Sequence, residues 1–341
     1  MKAAIYNPYW DTLGGGERYC ISVAEILSRN GYQVDIEWKD KDIISKLEKR
    51  FGLSLSNINV VEDVNRGDGY DLLFWVSDGS IPTLKARRNL LHFQFPFKNV
   101  NGNTLLNKMK FFRINKTICN SHFTKDIVDK EYGIDSIVIY PPVDVEKFKQ
   151  LKKENTIIYV GRFSELTQSK RQDKLIETFK RFHDSGNTLW KLILVGGVEV
   201  GSGEFLEKLK DSAKTYPIKI IQSPDFRELK NLVGSSKFFW SAAGFGIDER
   251  ENPTKVEHFG ITVVESMAAG VVPIIYNAGG SKEIVQNGQN GYLWDNDDQL
   301  ISNTNKLIID AKLFRKLSLK AKEDSQKYNY ERFEKELLSL L

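Results

Sequence analysis

The chain has 341 residues, of which 41% are apolar, 28% charged and 11% aromatic, enough for about two globular domains at roughly 150 residues each. Lys plus Arg number 49 against 45 Asp plus Glu, and the resulting net charge of +4 is too small and dispersed for a dedicated nucleic-acid surface. Two cysteines, Cys20 and Cys119, exclude a disulfide scaffold and a cysteine zinc site, and the scattered His92, His122, His183 and His258 make no metal cluster. The opening MKAAIYNPYWDT does not read as a signal peptide, and no run approaches the ~20 apolar residues that cross a bilayer. These features lead to the expectation of a cytoplasmic two-domain enzyme.

In chain order, AAIYN (3–7) reads as a strand. It is followed by the glycine loop 14–16, a helix through about Arg29 stopped by Asn30-Gly31, and a strand at 32–38. Further short buried runs follow at 71–77, 89–95 and 117–121. A second series begins after Pro141-Pro142, with strands at 155–161, 190–197, 218–222 and 271–277. Helices are expected from about Arg171 to Phe182 and near 226–234, and the tail from Lys306 has a helical pattern. Strands alternating with helices of this length specify βαβ units and parallel sheets. The expected organisation is two doubly wound α/β domains, 1–150 and 151–320, with a charged linker near 144–155. In such sheets ligands bind beyond the carboxyl ends of the strands, so the strand-to-helix loops carry the chemistry.

Three loops stand out. LGGGERY (13–19) places Gly15 and Gly16 at a helix start, where backbone amides attract negative charge; it is not GxGxxG, and a plain tight turn explains it nearly as well. In VGRFSELTQSKRQDKLIETF (160–179), Arg162 follows a buried strand and Lys170-Arg171 opens a helix. Cations there oppose the helix dipole, a conflict that a phosphate would resolve, although a solvated charged loop is also consistent. In EHFGITVVESMAAG (257–270), Glu257 and Glu265 would lie ~12 Å apart on one continuous helix. A glycosidase pair needs ~5–9.5 Å, so the two carboxylates suit the ends of an extended ligand better than one scissile bond. Thr262 and Glu265 also fit a capping box, and Glu257 follows the charged stretch 248–252 and could be a solvated acid. The triplets Asp40-Lys41-Asp42 and Asp295-Asn296-Asp297 match a metal-holding Asp-x-Asp pattern, but sit in charge-rich stretches where it arises easily.

GGGER (14–18), CNSHFT (119–124), YPPVD (140–144), VGRF…KRQDKLIETF, LVGG (194–197), EHFGITVVESMAAG and AGGSKEIVQNGQNGYLW (278–294) together resemble the retaining glycosyltransferase family 4, among the glycosyl transferases group 1. GGGER with EHFGI is also similar to the mannosyltransferases that extend lipid-linked oligosaccharides. The resemblance implies a GT-B fold, two Rossmann-like domains facing a central cleft, with residues 321–341 forming a helix that packs back toward the N-terminal domain. It implies a nucleotide-sugar donor, GDP- or UDP-hexose, held by the C-terminal domain without a metal or other cofactor. Arg162 and Lys170 match the basic pair on the donor pyrophosphate, Glu257 the glutamate beside the sugar, and Glu265 the one on the ribose. The backbone at Phe259, Gly260, Ile261 and Thr262, with Gly15 and Gly16, would meet sugar and phosphates. The family's histidine near the transferred sugar aligns with Gln94 rather than His92 in LLHFQFPF (90–97); both lie on one face of a strand, and His92 is carried as the catalytic candidate.

The expected activity is retaining, metal-independent transfer of a hexose, mannose first, to a hydroxyl of a glycan or lipid-linked glycan. The alternatives are a nucleotide-sugar 2-epimerase of the same architecture, whose acid/base set the few histidines and the glutamate spacing argue against, and a non-catalytic nucleotide-sugar-binding subunit, which would not be expected to keep Arg162, Lys170, Glu257 and Glu265 together. A dehydrogenase lacks its GxGxxG. FKNVNGNTLLNKMKFFRINK (97–116) mixes cations with Leu105, Leu106, Phe111 and Phe112. It reads first as a helix packing its apolar face on the N-terminal domain, and second as a peripheral contact with the inner face of an anionic membrane.

Overall fold

The computed structural model of the chain describes residues 1–164, 170–199 and 201–341. It divides into two compact units, Met1–Pro142 with Tyr330–Leu341, and Val143–Asn329.

The first unit runs β1 (Lys2–Tyr6), α1 (Gly15–Arg29), β2 (Gln33–Glu37), α2 (Ile43–Phe51), β3 (Ile58–Val61), β4 (Leu72–Val76), β5 (Arg88–Phe93), α3 (Leu105–Phe111), β6 (Lys116–Cys119), α4 (His122–Tyr132) and β7 (Ile137–Val138). All pairings are parallel, in the order β3-β2-β1-β4-β5-β6-β7, so the chain reverses its direction of growth between β1 and β4. The central strands are buried on both faces, which is why β1 shows an unbroken Ala3-Ala4-Ile5 run rather than alternation. Helix α1 turns Tyr19, Cys20, Val23, Ala24 and Leu27 inward at helical spacing. The last helix, Tyr330–Leu338, buries Phe333 and Leu337 in this same core. It is held by Arg332 donating to the Tyr140 carbonyl at 2.9 Å and by the Tyr330–Ser22 hydroxyl pair at 3.0 Å.

The second unit runs β8 (Thr156–Val160), α5 (Gln172–Asp184), β9 (Lys191–Gly196), α6 (Gly203–Ala213), β10 (Ile218–Gln222), α7 (Phe226–Ser235), β11 (Phe238–Ser241), α8 (Ile261–Ala268), β12 (Val272–Tyr276), β13 (Tyr292–Trp294), α9 (Asp297–Ile309) and α10 (Ala311–Ser325); the helix at 330–338 is α11. Its parallel sheet has the order β10-β9-β8-β11-β12-β13, reversing between β8 and β11. Trp240 and Trp294 are fully buried in this unit, and both find partners for their indole N–H groups. Trp240 donates to Thr304 Oγ1 at 3.1 Å and Trp294 to the Ser241 carbonyl at 3.1 Å.

Candidate active site

The functional candidates of the second unit gather at the carboxyl edge of its sheet, around the β8/β11 reversal where open α/β sheets form their crevice. Arg162 follows β8 directly; its loop runs beside the end of β9, with the Phe163 amide on the Gly197 carbonyl at 2.8 Å. Gln172 donates to the Arg162 carbonyl at 2.8 Å and holds the loop to the start of α5. The Arg162 guanidinium itself is exposed, 3.8 Å from Glu199.

Lys170 is buried, and its ammonium donates to Glu257 Oε2 at 2.7 Å. Burial pushes the Glu257 carboxyl up, but Lys170, His258 and Arg162 together pull it further down, and the net result lies below the ordinary carboxylate range. Arg171 caps α5 in a left-handed conformation and gives its guanidinium to Asp173 and to the Phe245 carbonyl at 2.8 Å. The unfavourable placement of two cations at a helix start is therefore resolved by carboxylates of the chain itself. Residues 165–169 lie outside the described residues.

Glu257 and Glu265 do not share a helix. Helix α8 begins at Ile261, and Gly260 before it has φ +108°, a conformation that L side chains rarely adopt. The ~12 Å spacing derived from one continuous helix therefore does not apply. Thr262 sits inside the first turn rather than at the cap, so the capping-box alternative also falls. Glu265, one turn further on, is buried. The amides of Ile261 and Thr262 lie in the first turn, before any residue of the helix can accept from them. Beneath this turn the two halves of the long motif lock backbone to backbone. The Gly280 amide donates to the Glu257 carbonyl at 2.8 Å, and a Cβ at Gly280 would lie 1.9 Å from the His258 carbonyl oxygen.

Part of the motif is scaffold. Asn290 is buried and donates to Asp324 at 3.0 Å and to the Ile284 carbonyl at 3.1 Å. Glu249, in the charged stretch 248–252, accepts from the Gly279 amide and from Lys282 Nζ, both at 2.6 Å. Periodicity carries no signal for this clamp; the only hint is a lysine in the AGGSKE run.

In the first unit, Gly15 and Gly16 open α1 at the β1/β4 reversal. The glutamate of GGGER is a cap: Glu17 accepts from the Gly14 amide at 2.8 Å and from the Thr12 hydroxyl. Gln94 lies over this turn, and a Cβ on Gly16 would meet its Oε1 at 2.0 Å. The Gln94 side chain is buried with Oε1 unpartnered, and Asn120 donates to its carbonyl at 3.0 Å. In CNSHFT, Ser121 caps α4 by accepting from the Thr124 amide at 3.1 Å.

His92 is not where the catalytic expectation requires it. Its ring is wholly inside the unit, stacked on Tyr19 at 4.3 Å and tilted against Phe74 at 5.4 Å. Burial pushes its imidazole down to about 3, so it is neutral. Residues two apart on a strand share a face, but Gln94 lies beyond the end of β5, where the backbone has left the sheet.

The Asp-x-Asp triplets are absorbed by structure. Asp40 pairs with Lys46 at 2.9 Å; Asn296 caps α9; Asp297 pairs with Lys174 at 2.7 Å and Arg181 at 3.1 Å. Among the described residues no group of three His, Cys, Asp or Glu could hold a metal ion, and no helix is long and apolar enough to cross a membrane. The glycine-bearing run GVEVGSG (197–203) includes Val200, which lies outside the described residues.

Residues 143–324, just over half the chain and nearly all of the second unit, match the family described as glycosyl transferases group 1. The chain belongs to that family. A relative from Dictyostelium discoideum, a GDP-Man:Man(3)GlcNAc(2)-PP-Dol alpha-1,2-mannosyltransferase, is 29% identical over 68% of this chain and 47% of its own length. The chain thus spans about half of that relative. An uncharacterized glycosyltransferase of Haemophilus influenzae is 25% identical, with 96% of each chain covered. Among solved structures, the Anabaena protein HepE in complex with UDP superimposes with a TM-score of 0.77 at 17% identity, covering 99% of each chain. The group 1 glycosyl transferase chain therefore has the expected fold, two Rossmann-like parallel-sheet units of the GT-B class.

Proposed function

We propose that the protein is a retaining glycosyltransferase that moves a hexose, mannose first, from a nucleoside-diphosphate sugar to a hydroxyl of a glycan or lipid-linked glycan, without a metal ion. The observation that carries this reading is the Lys170–Glu257 ion pair at 2.7 Å, set at the β8/β11 reversal beside Arg162 and the first turn of α8. Two cations and outward-pointing amides at one strand edge suit a pyrophosphate leaving group, whose charge grows as the glycosidic bond breaks. Arg162 and Lys170 take the phosphates with the Ile261 and Thr262 amides, Glu265 takes the ribose hydroxyls, and Glu257, ionised throughout the neutral range, takes hydroxyls of the sugar.

In the reaction, the anomeric carbon–phosphate bond breaks while the acceptor oxygen bonds to the same face of that carbon. The acceptor's proton passes to the departing phosphate oxygen. The protein's own contribution is orientation and electrostatics. Guanosine as the donor base is supported by the Dictyostelium relative's name, and uridine by the UDP in the Anabaena structure.

The test is a thermal-shift screen over nucleoside diphosphates and their sugars, followed by release of nucleoside diphosphate and NMR of the anomeric product. A ligand at 100 times its Kd adds about 2.7 kcal/mol. GDP and GDP-mannose are expected to stabilise most. Absence of any shift with every nucleotide, or a product of inverted configuration, would overturn the reading.

A further inference from the structure

We propose that α3 is a docking surface for an anionic lipid bilayer. The sequence favours a helix that packs its apolar face inward, but the structure has it the other way round: no residue of α3 is buried. Leu105 is 76% exposed, Leu106 62%, Met109 60% and Phe112, which closes the helix, 88%. Spaced i, i+1, i+4 and i+7, they form one continuous stripe. A cluster of four large exposed side chains differs from the singly scattered hydrophobics normal on a soluble surface.

The stripe is held outward by contacts on the other side of the same segment. The Phe111 ring sits against Tyr132, with centroids 6.3 Å apart, and packs on the Phe93 cluster. Lys110 donates to the Ile81 carbonyl at 2.7 Å. Thr104 caps the helix by accepting from the Asn107 amide at 3.2 Å, and the Asn107 side chain donates to the Gly102 carbonyl at 2.9 Å. The exposure of the apolar stripe is therefore a built feature of a pinned helix.

Charge decides which partner suits it. Residues 97–116 carry five basic residues and no acidic one; Lys110 and Arg113 donate to the Ile81 and Leu84 carbonyls, while Lys108 and Lys116 are exposed. The neighbouring acid, Glu131 on α4, is turned into the loop, accepting from the Asn99, Val100 and Gly102 amides at 3.0, 3.0 and 3.1 Å. A short helix with an apolar stripe flanked by cations suits the plane of a bilayer: leucine and phenylalanine enter the acyl boundary and the long cationic chains reach anionic headgroups. Each basic residue close to such a surface strengthens binding about fivefold, an effect that salt screens.

The experiment is co-sedimentation of the full chain with vesicles of phosphatidylcholine alone and with added phosphatidylglycerol, alongside sedimentation velocity without lipid. Binding is expected only with phosphatidylglycerol, weakening as salt rises. Combining Leu105→Ser, Leu106→Ser and Phe112→Ser should abolish it, while Lys108→Gln with Lys116→Gln should weaken it about 25-fold. Because all these side chains are exposed, melting temperature and the nucleotide thermal shift should not move, which separates this proposal from the donor-site reading. Equal binding of wild type and triple variant, no binding to phosphatidylglycerol vesicles, or self-association in solution that the triple variant abolishes without any vesicle binding would each overturn it.

Discussion

Replacing Lys170 by methionine keeps the chain length and removes the charge opposite Glu257. The ammonium and carboxylate are 2.7 Å apart, with side chains 11% and 24% exposed. Breaking a fully buried pair costs about 3–5 kcal/mol and an exposed one under about 1, so this largely buried pair should cost about 3 kcal/mol of stability. Glu257 alone keeps the burial that pushes its carboxyl up and loses the strongest influence pulling it down. In the wild type a carboxyl depressed on folding stabilises above its unfolded value and loses that contribution as pH falls through the folded value. In Lys170→Met the carboxyl titrates higher, so the acid limb of activity and of stability should move to higher pH. On the rate, losing one preorganised charge aimed at the leaving group costs about 100- to 1,000-fold in kcat.

The assay is nucleoside diphosphate release with thermal denaturation across pH, for Lys170→Met, Glu257→Gln and the double variant. Removing both partners should recover much of the stability, because no lone buried charge is left, while activity stays low. Wild-type turnover and nucleotide affinity in Lys170→Met would refute the phosphate role. An unshifted acid limb would refute the electrostatic reasoning.

Gly280→Ala puts a methyl 1.9 Å from the His258 carbonyl oxygen, and since backbone yields poorly it should cost about 3 kcal/mol in chemical denaturation; wild-type stability would contradict the backbone lock. His92→Phe should leave activity intact whereas Gln94→Ala lowers it, measured as kcat/KM; the reverse pattern would restore His92 to the site. His92 is held neutral to about 3 on folding, so the unfolded chain binds more protons below its ordinary value and stability falls with acid, by about 2 kcal/mol at pH 5. The His92→Phe variant should lack that slope in urea titrations from pH 4 to 7. Glu17→Ala frees the Gly14 amide and should destabilise α1 by about 1 kcal/mol, read as faster hydrogen exchange in its first turn.

The parallel, doubly wound architecture was legible because hydrophobic runs bounded by glycine and proline are local signals. The strand at 218–222 and the helix start near 226 fall where the sequence pattern sets them. The gathering of Arg162, Lys170, Glu257 and Ile261 at one sheet edge was legible too, since each follows or opens an element and strand-to-helix loops of a parallel sheet share one end. What periodicity could not resolve was direction. His92 and Gln94 have the same parity, and only the end of β5 at Phe93 puts one in the core against Tyr19 and the other over Gly16. Likewise α3 carries an apolar stripe in either reading.

What the sequence by itself determined, then, was the elements, their parallel order and the loops that bear charge, because those depend on residues adjacent along the chain. Tertiary structure alone decided that Lys170 faces Glu257, that Glu249 clamps Gly279, and that Phe111 rather than Leu105, Leu106, Met109 and Phe112 anchors α3. Ion pairs and packing link residues far apart in sequence. Which side of a helix meets the core depends on where the neighbouring strands and rings leave room, and a pattern along one chain segment does not encode that.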